Sequence, residues 1–224
     1  MIPLRDTNPT QTVPFVNYTL IGLNVLAFFF ELSLGKHLNE FIFHYGVVPI
    51  RWTTDISQFQ IDMFTFIPLF SSMFLHGGWM HLIGNMLFLH IFGDNVEDRF
   101  GHLKYLAFYL IAGLSAAFTQ VYINTSSEIP MVGASGAIAG VMGAYVFMFP
   151  RAKVLTLIPF FGFFQFIELQ AAYFLGIWFL MQMASGVMSL GIGADAGGVA
   201  WWAHIGGFAA GAILFPVLKK SRYQ

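Results

Sequence analysis

The sequence predicts an all-α polytopic membrane protein, and three observations point to this class. Hydrophobic residues make up 57% of the 224-residue chain, whereas charged residues make up only 9%. The mean hydropathy is +0.71. Uncharged apolar stretches recur from one end of the chain to the other. A soluble domain of this length needs far more charge to cover its surface, so the chain is expected to lie mostly within a lipid bilayer.

Six apolar stretches are predicted to span the membrane as helices. They lie at about 14–32, 78–93, 105–123, 135–149, 167–186 and 200–218. A spanning helix needs about 20 residues, so the second and fourth stretches are short. No internal repeat or flexible linker divides the chain, which predicts one membrane domain over residues 1–224. The long aromatic loop at 34–77 is expected to lie in the membrane interface.

The run from Val154 to Leu190 leaves the number of spans open, because it is long enough for two passes. Its single charge is Glu168, and Pro159 and Gly162 are residues that favour a turn. The distribution of basic residues among the loops favours a single pass through this run. With six spans only Lys36 and Arg51 lie on one side, and the other side holds the remaining basic residues: Arg5, Arg99, Lys104, Arg151, Lys153, Lys219, Lys220 and Arg222. A seventh span would destroy this bias, so we predict six spans with both termini in the cytoplasm.

Composition also excludes several classes of function. The chain has 10 basic and 11 acidic residues, which gives no indication of a nucleic-acid partner. It has no cysteine, which excludes disulfides, thiolate metal sites and a cysteine nucleophile. The first fifteen residues, MIPLRDTNPTQTVPF, lack the pattern of a cleaved signal peptide, so the first span is expected to direct its own insertion.

Three predicted spans carry polar residues at the same depth. Spans two, four and six all run from outside to inside in the predicted topology. His81 and Asn85 are four residues apart near the outer end of span two, Ser135 opens span four, and His204 lies just inside span six. The predicted topology therefore brings two histidines, an asparagine and a serine together in the outer half of the membrane.

Each of these residues also has a purely structural interpretation. Ser135 stands beside Gly136, Gly140 and Gly143, a small-residue face of the kind that lets membrane helices pack closely. His204 alone could be a structural or a functional residue, although an ionisable group inside a span by default suggests function. The convergence of the four polar residues at one depth in the membrane favours a functional site over four separate structural roles.

The residue types suit acyl transfer by a serine nucleophile. Neutral histidine is the usual base for a serine hydroxyl. Asp94, Glu97 and Asp98 fall at the cytoplasmic end of span two, and Asp195 lies in a glycine-rich loop, so a Ser–His dyad is expected rather than a triad. The Ser135 backbone N–H at a helix N-terminus, the Asn85 amide and a His81 ring N–H are the candidate oxyanion donors.

Span four is about 22 Å long at 1.5 Å per residue, which is shorter than the hydrocarbon core of about 30 Å. The loop 124–134 is therefore expected to dip into the bilayer beside a water-filled cavity, with Ser135 below the surface.

The stretches HGGWMHLIGNMLFLHIFGDNVEDRFG, GASGAIAG and AHIGGFAAG, in this order between about Phe74 and Phe215, resemble the rhomboid intramembrane serine proteases. The resemblance implies a six-helix bundle whose site opens to the extracytoplasmic side. It also implies Ser135 as nucleophile and His204 as base, with His81 and Asn85 assisting the oxyanion and Gly133 preceding the serine in the GxSG motif. Neither a metal nor a cofactor is implied, and the other histidines are assigned no metal role.

Three further features bear on this resemblance. Gly93, Glu97 and Gly101 match a GxxxExxxG pattern, which we interpret as a helix C-cap and an acidic anchor for nearby arginines. Many rhomboids have an aromatic residue four positions after the nucleophile that stacks on the histidine, whereas this chain has Ala139, which leaves the orientation of His204 open. The first-loop Trp-Arg pair of the family is not carried over, since this chain reads Arg51-Trp52.

The predicted function is that of an intramembrane serine endopeptidase. Its partners would be the lipid bilayer and membrane proteins whose transmembrane segments it cleaves, and its expected location is the cell membrane. The alternative is a catalytically inactive rhomboid-like protein that binds membrane clients, although such a protein would be expected to lack the serine or the histidine. A channel or transporter is disfavoured because no span carries a charged pathway or a matched pair of broken helices.

His76 is expected to lie at the mouth of the cavity, and Gly207 and Gly211 are expected to let span six pack closely on span four.

Overall fold

The structure is a computed structural model that describes residues 1–160, 163–192 and 199–219. Within these ranges the chain is mostly helical, with a small antiparallel sheet. The helices are α1 (Phe15–Ser33), α2 (Leu38–Tyr45), α3 (Pro49–Ser57), α4 (Met63–Ser71), α5 (Trp79–Phe100), α6 (His102–Ile123), α7 (Ser135–Met148), α8 (Ala171–Ile192) and α9 (Trp201–Leu218). The strands are β1 (Ile2–Asp6), β2 (Lys153–Phe160) and β3 (Phe163–Gln170).

The long apolar helices lie close to the predicted spans. In the described ranges, four helices are long and apolar enough to cross a membrane: Phe15–Ser33, His102–Ile123, Ala171–Leu190 and Trp201–Leu218. Helix α7 is apolar but has only 14 residues. Helix α5 is long, but the polar and charged residues of its second half lower its hydropathy. The chain is thus an integral membrane protein with a predominantly helical bundle.

The region before α8 departs from the prediction. Residues 153–160 and 163–170 form an antiparallel strand pair, in which Val154 pairs with Leu169, and β1 pairs with the other edge of β2. Helix α8, which corresponds to the predicted fifth span, therefore begins at Ala171 rather than at 167. The additional helical pass through 154–170 is excluded. Pro159 lies near the end of β2, whereas Gly162 lies outside the described residues, as do Asp195, Lys220 and Arg222.

The long first loop folds into α2, α3 and α4 and packs on α6. Val47 and Met131 exchange two backbone hydrogen bonds of 3.0 and 2.8 Å, which tie this loop to the segment that precedes α7. The Arg51 guanidinium donates to the carbonyl oxygens of Phe43, His44 and Gly46 at 2.7–3.3 Å. Arg51 therefore closes the C-terminal end of α2, where carbonyl groups have no helical partner.

Glu97 anchors the N-terminus of α1 and not a nearby arginine, which corrects the predicted partner. Its buried carboxylate accepts the backbone N–H groups of Val16 and Asn17 at 2.9 and 2.7 Å. A carboxylate is favourable at this end of a helix because free N–H groups and the helix dipole both point toward it. Gly101 ends α5 at a φ of +82° and donates its N–H to the Glu97 carbonyl at 2.7 Å, as the predicted C-cap requires.

Helix α7 lies at the centre of the bundle. Every residue from Gly136 to Tyr145 is buried. Around it, large apolar side chains of the neighbouring helices form the core: Leu89, Phe92, Phe108, Tyr109, Phe174, Leu175 and Phe208. This 14-residue helix carries Ser135 at its N-terminal end, where the residue is partly buried.

Glycines bring α7 and α9 into direct backbone contact, as predicted for Gly207 and Gly211. A Cβ built on Gly207 would lie 2.0 Å from the Gly136 carbonyl oxygen, and one on Gly211 would lie 1.9 Å from that of Gly140. No side chain fits in these positions without separating the helices. The two helices that carry Ser135 and His204 are therefore held at a spacing that only glycine permits.

We predict that Gly211→Ala destabilises the protein. The added methyl group forces α9 away from α7, and overpacking of this kind costs about 1–3 kcal/mol. Thermal unfolding in detergent micelles measures the loss.

Gly176→Ala on α8 is the matched control, because a Cβ at Gly176 has nothing within 4 Å. This variant should unfold at or slightly above the wild-type temperature, since alanine is favoured over glycine within a helix. Equal unfolding temperatures for the two variants would contradict the close helix contact.

Candidate active site

The N-terminus of α7 presents Ser135 to the first turn of α9. The distance between Ser135 Oγ and His204 Nε2 is 2.9 Å, within hydrogen-bond range. The first turn of α9 is itself held by α6, since Gln120 Oε1 accepts the Ala203 N–H at 3.2 Å. The structure therefore brings the two residues of the predicted dyad together, with a hydroxyl positioned to donate to an imidazole.

Helix α8 supplies further contacts to His204. Gln182 Oε1 lies 2.7 Å from His204 Nδ1, and the Trp178 indole lies against the imidazole with a centroid distance of 5.8 Å and an angle of 37° between the rings. Trp201 adds an edge-on contact at 6.2 Å. The position predicted from the family to stack on the histidine holds Ala139, which is fully buried. In this chain the aromatic neighbours of His204 thus come from α8 and α9 instead of α7.

His81 and Asn85 lie on the face of α5 toward Ser135. The Gly77 N–H approaches His81 Nδ1 at 3.4 Å, which is compatible with a ring proton on Nε2. Asn85 is 8% exposed as a residue, and its Nδ2 contacts His76 Nε2 at 3.0 Å. An amide nitrogen carries two protons, so Asn85 retains a second N–H beyond the one given to His76. Both residues line the same cavity as Ser135, and Asn85 has one amide N–H that is not given to His76.

His76 lies behind Asn85 and not at the cavity mouth, which corrects the expectation. It is 1% exposed, and its backbone N–H donates to the Glu31 carboxylate at 3.1 and 3.2 Å. Burial, with a smaller effect of the neighbouring His81, lowers the pKa of His76 to about 4. The ring is therefore neutral at physiological pH and accepts the Asn85 N–H, which fixes the orientation of the amide.

Gly133 contributes space rather than a free donor. Its φ is +127°, a conformation that favours glycine, and its N–H donates to the Ser72 carbonyl oxygen at 2.8 Å. A Cβ at this position would lie 2.7 Å from His81 Nε2 and 3.6 Å from Asn85 Nδ2. The Gly133 N–H is thus occupied elsewhere, and the missing side chain is what lets His81 approach the segment before Ser135.

A cavity of about 640 Å³ contains these groups. Its lining includes His81, Asn85, Gly133, Ser135 and His204. A second cavity of about 220 Å³ lies between α5 and α8 and also reaches Ser135 and His204. The serine is therefore accessible both from the large cavity and from a gap between two helices.

Gln182 and Trp178 were not predicted as site residues, and His76 was predicted at the cavity mouth and not behind Asn85. Gln182 and Trp178 are four residues apart and so share a face of α8. That spacing was the available signal, but an isolated glutamine in an apolar span more often bonds to a neighbouring helix. His76 stands five residues before His81 in a loop, where its burial depends on contacts distant in sequence.

Comparison with known proteins assigns the family. A profile of the rhomboid domain matches residues 64–221. "Rhomboid protease AarA" of Providencia stuartii is 30% identical over 146 residues, which cover 57% of this chain and 48% of that protein. "Rhomboid protease GluP" of Bacillus subtilis is 31% identical over 136 residues, or 60% of this chain and 25% of that protein.

"RHOMBOID-like protein 12, mitochondrial" of Arabidopsis thaliana is 30% identical over 203 residues, which cover 79% of this chain and 56% of that protein. The matched regions thus span between 25% and 56% of these relatives' own lengths. Two of these relatives are named as rhomboid proteases. Because the rhomboid-domain profile matches most of the chain, we conclude that this chain belongs to the rhomboid family.

Proposed function

We propose that this protein is an intramembrane serine endopeptidase that hydrolyses peptide bonds in or near the transmembrane segments of other membrane proteins. The observation that carries the proposal is the 2.9 Å contact between Ser135 Oγ and His204 Nε2 inside a large cavity. A serine alone on a small-residue helix face would be a packing residue. A serine whose hydroxyl points at an imidazole nitrogen has the geometry of an activated nucleophile.

In the proposed reaction, Ser135 Oγ attacks the carbonyl carbon of the scissile bond while its proton passes to His204 Nε2. The tetrahedral intermediate collapses when the C–N bond breaks and the same proton moves from Nε2 to the leaving amine. Water then attacks the acyl-enzyme, again with His204 as base, and releases the carboxylic acid product together with the free Ser135 hydroxyl. One histidine nitrogen therefore moves a proton in both halves of the reaction.

The proposed oxyanion hole consists of three donors. The Ser135 N–H belongs to the first turn of α7, where backbone N–H groups lack intrahelical acceptors. His81 Nε2–H and the second Asn85 N–H approach the same region from α5. Donors arranged in advance around a developing negative charge act strongly in a site that is shielded from bulk water.

The proposed topology has six spans, with α5 and α7 crossing in addition to the four apolar helices, and with both termini in the cytoplasm. Three features support it: the eight-to-two bias of basic residues, the strand pair in place of an additional helix at 153–170, and the central position of α7. The site then opens to the extracytoplasmic side. The proposed location is the cell membrane, and the mitochondrial relatives make an organellar membrane the alternative.

We predict that Ser135→Ala abolishes reaction with a fluorophosphonate probe and cleavage of a single-span substrate, and that His204→Ala reduces labelling strongly. The first variant removes the nucleophile and the second removes its base. Gel fluorescence after labelling, normalised to folded protein, measures the effect.

Ser189→Ala on α8 and His90→Ala on the exposed face of α5 are the matched controls and should label like wild type. Equal labelling of Ser135→Ala and wild type would overturn the assignment. A wild-type protein that binds membrane proteins but cleaves none would instead favour the inactive client-binding alternative.

We predict that Asn85→Ala and His81→Ala each lower kcat by about tenfold, less than the 10²–10³ seen for one donor in a soluble protease, because the remaining donors share the charge. The double variant should lose more than the product of the single losses. Cleavage kinetics on folded protein measure these effects.

Asn95→Ala is the matched control, since Asn95 is a buried asparagine at the far end of the same helix. It should lower the unfolding temperature and leave kcat unchanged. If the double variant stays folded and cleaves at the wild-type rate, His81 and Asn85 serve packing alone.

We predict that an impermeant maleimide labels Ser126→Cys in intact cells but labels Gln11→Cys and Lys104→Cys only after permeabilisation. All three positions are exposed, and the chain has no native cysteine to add background. Labelling of Gln11→Cys in intact cells would contradict the proposed orientation.

A further inference from the structure

Gln182 is a polar residue in the apolar helix α8. The residue is only 7% exposed, and its Oε1 lies 2.7 Å from His204 Nδ1. A buried amide without a hydrogen-bond partner is costly, so a glutamine at this position requires one. Its partner is His204 Nδ1, the ring nitrogen that faces away from Ser135.

This contact determines which ring nitrogen of His204 carries the proton. An amide oxygen can only accept, so Nδ1 must be the donor. A neutral imidazole has a single N–H, and Nε2 then has the free lone pair that the Ser135 hydroxyl needs. We infer that Gln182 is a positioning residue that holds His204 in the Nδ1–H tautomer and thereby makes it competent as a base. This inference rests on the proposed function.

The ring orientation is fixed from the same helix face. Trp178, one helical turn before Gln182, lies beside the imidazole, with the ring centroids 5.8 Å apart and the ring planes at 37°. The indole limits tilting of the ring, and the Gln182 hydrogen bond limits rotation that would exchange the two nitrogens. With Ala139 on α7 offering no ring to stack upon, α8 provides both constraints. The orientation of His204 therefore depends on α8, which carries neither the nucleophile nor the base.

A neutral amide suits this position better than a carboxylate. An ionised carboxylate buried in an apolar helix needs compensation by charge or several hydrogen bonds, whereas an amide supplies one acceptor oxygen without a net charge. An amide stabilises the imidazolium less than a carboxylate would. Loss of Gln182 should therefore cost less than loss of the aspartate in a serine-protease triad, which lowers kcat by about 10⁴.

The test compares Gln182→Met, which keeps the approximate volume but removes the acceptor, with Gln182→Glu, which keeps an acceptor oxygen. We expect Gln182→Met to lower kcat by about 10- to 100-fold with little change in KM, since a buried N–H is left unpaired and the wrong tautomer gains population. Gln182→Glu should retain most of the activity at pH 8. Gln170→Met on the exposed strand β3 is the matched control and should behave as wild type.

The tautomer itself is read by ¹⁵N NMR on histidine-labelled protein, with His204 assigned by difference from His204→Ala. Wild type should show a protonated Nδ1 and an unprotonated Nε2, and Gln182→Met should shift toward the opposite tautomer or a mixture. This readout does not require catalysis, so it remains decisive if the chain cleaves no substrate and the proposed function fails.

Two results would overturn the inference. One is a wild-type His204 protonated at Nε2. The other is a folded Gln182→Met variant with unchanged tautomer, in which case Gln182 only joins α8 to α9 and any lost activity has another cause. If Gln182→Met does not fold, the wild-type spectrum and the Gln182→Glu variant still decide.

Discussion

The direct backbone contact between α7 and α9 governs how the bundle is arranged around the proposed site. The 2.9 Å contact between Ser135 Oγ and His204 Nε2 requires the two helices to pack closely at this end. Gly207 and Gly211 provide this, because their missing side chains leave room for carbonyl oxygens of α7. Ala112 and Ala116 of α6 lie close against the same face of α7. Small residues on three helices therefore set the geometry of the proposed dyad.

Polar contacts then join the first helix to the site. On α1, Glu31 accepts the backbone N–H of His76, and His76 Nε2 accepts from the Asn85 amide. At the other end of α1, Glu97 and Asn17 form a buried polar cluster with the Tyr105 hydroxyl, which donates to Asn17 at 2.8 Å. Buried polar groups in an apolar bundle are costly unless paired, so these contacts fix α1 against α5 with little freedom.

Helix α8 links the interior of the bundle to the proposed base. Phe174 at its beginning packs against Phe92, whereas Trp178 and Gln182 one and two turns later contact His204. Within the rhomboid family, this chain departs from the motif at Ala139, and the structure shows how His204 keeps an aromatic neighbour despite that departure. Helix α8 carries no residue of the predicted site, but it supplies contacts that surround His204.

The helical bundle, the approximate positions of its long helices and the identity of its polar residues could all be predicted from the sequence. Hydropathy and charge suffice for this because the bilayer forces backbone hydrogen bonds to close within each helix, and because polar residues are rare enough there to stand out. The strand pair at 153–170 could not be predicted in this way, since an apolar run of that kind is ambiguous until residues 2–6 pair with it. The same holds for the partner of Glu97, the burial of His76, the occupied N–H of Gly133 and the contact of Gln182 with His204. Each of these depends on groups far apart in the chain, whose distance is set by packing and not by local pattern.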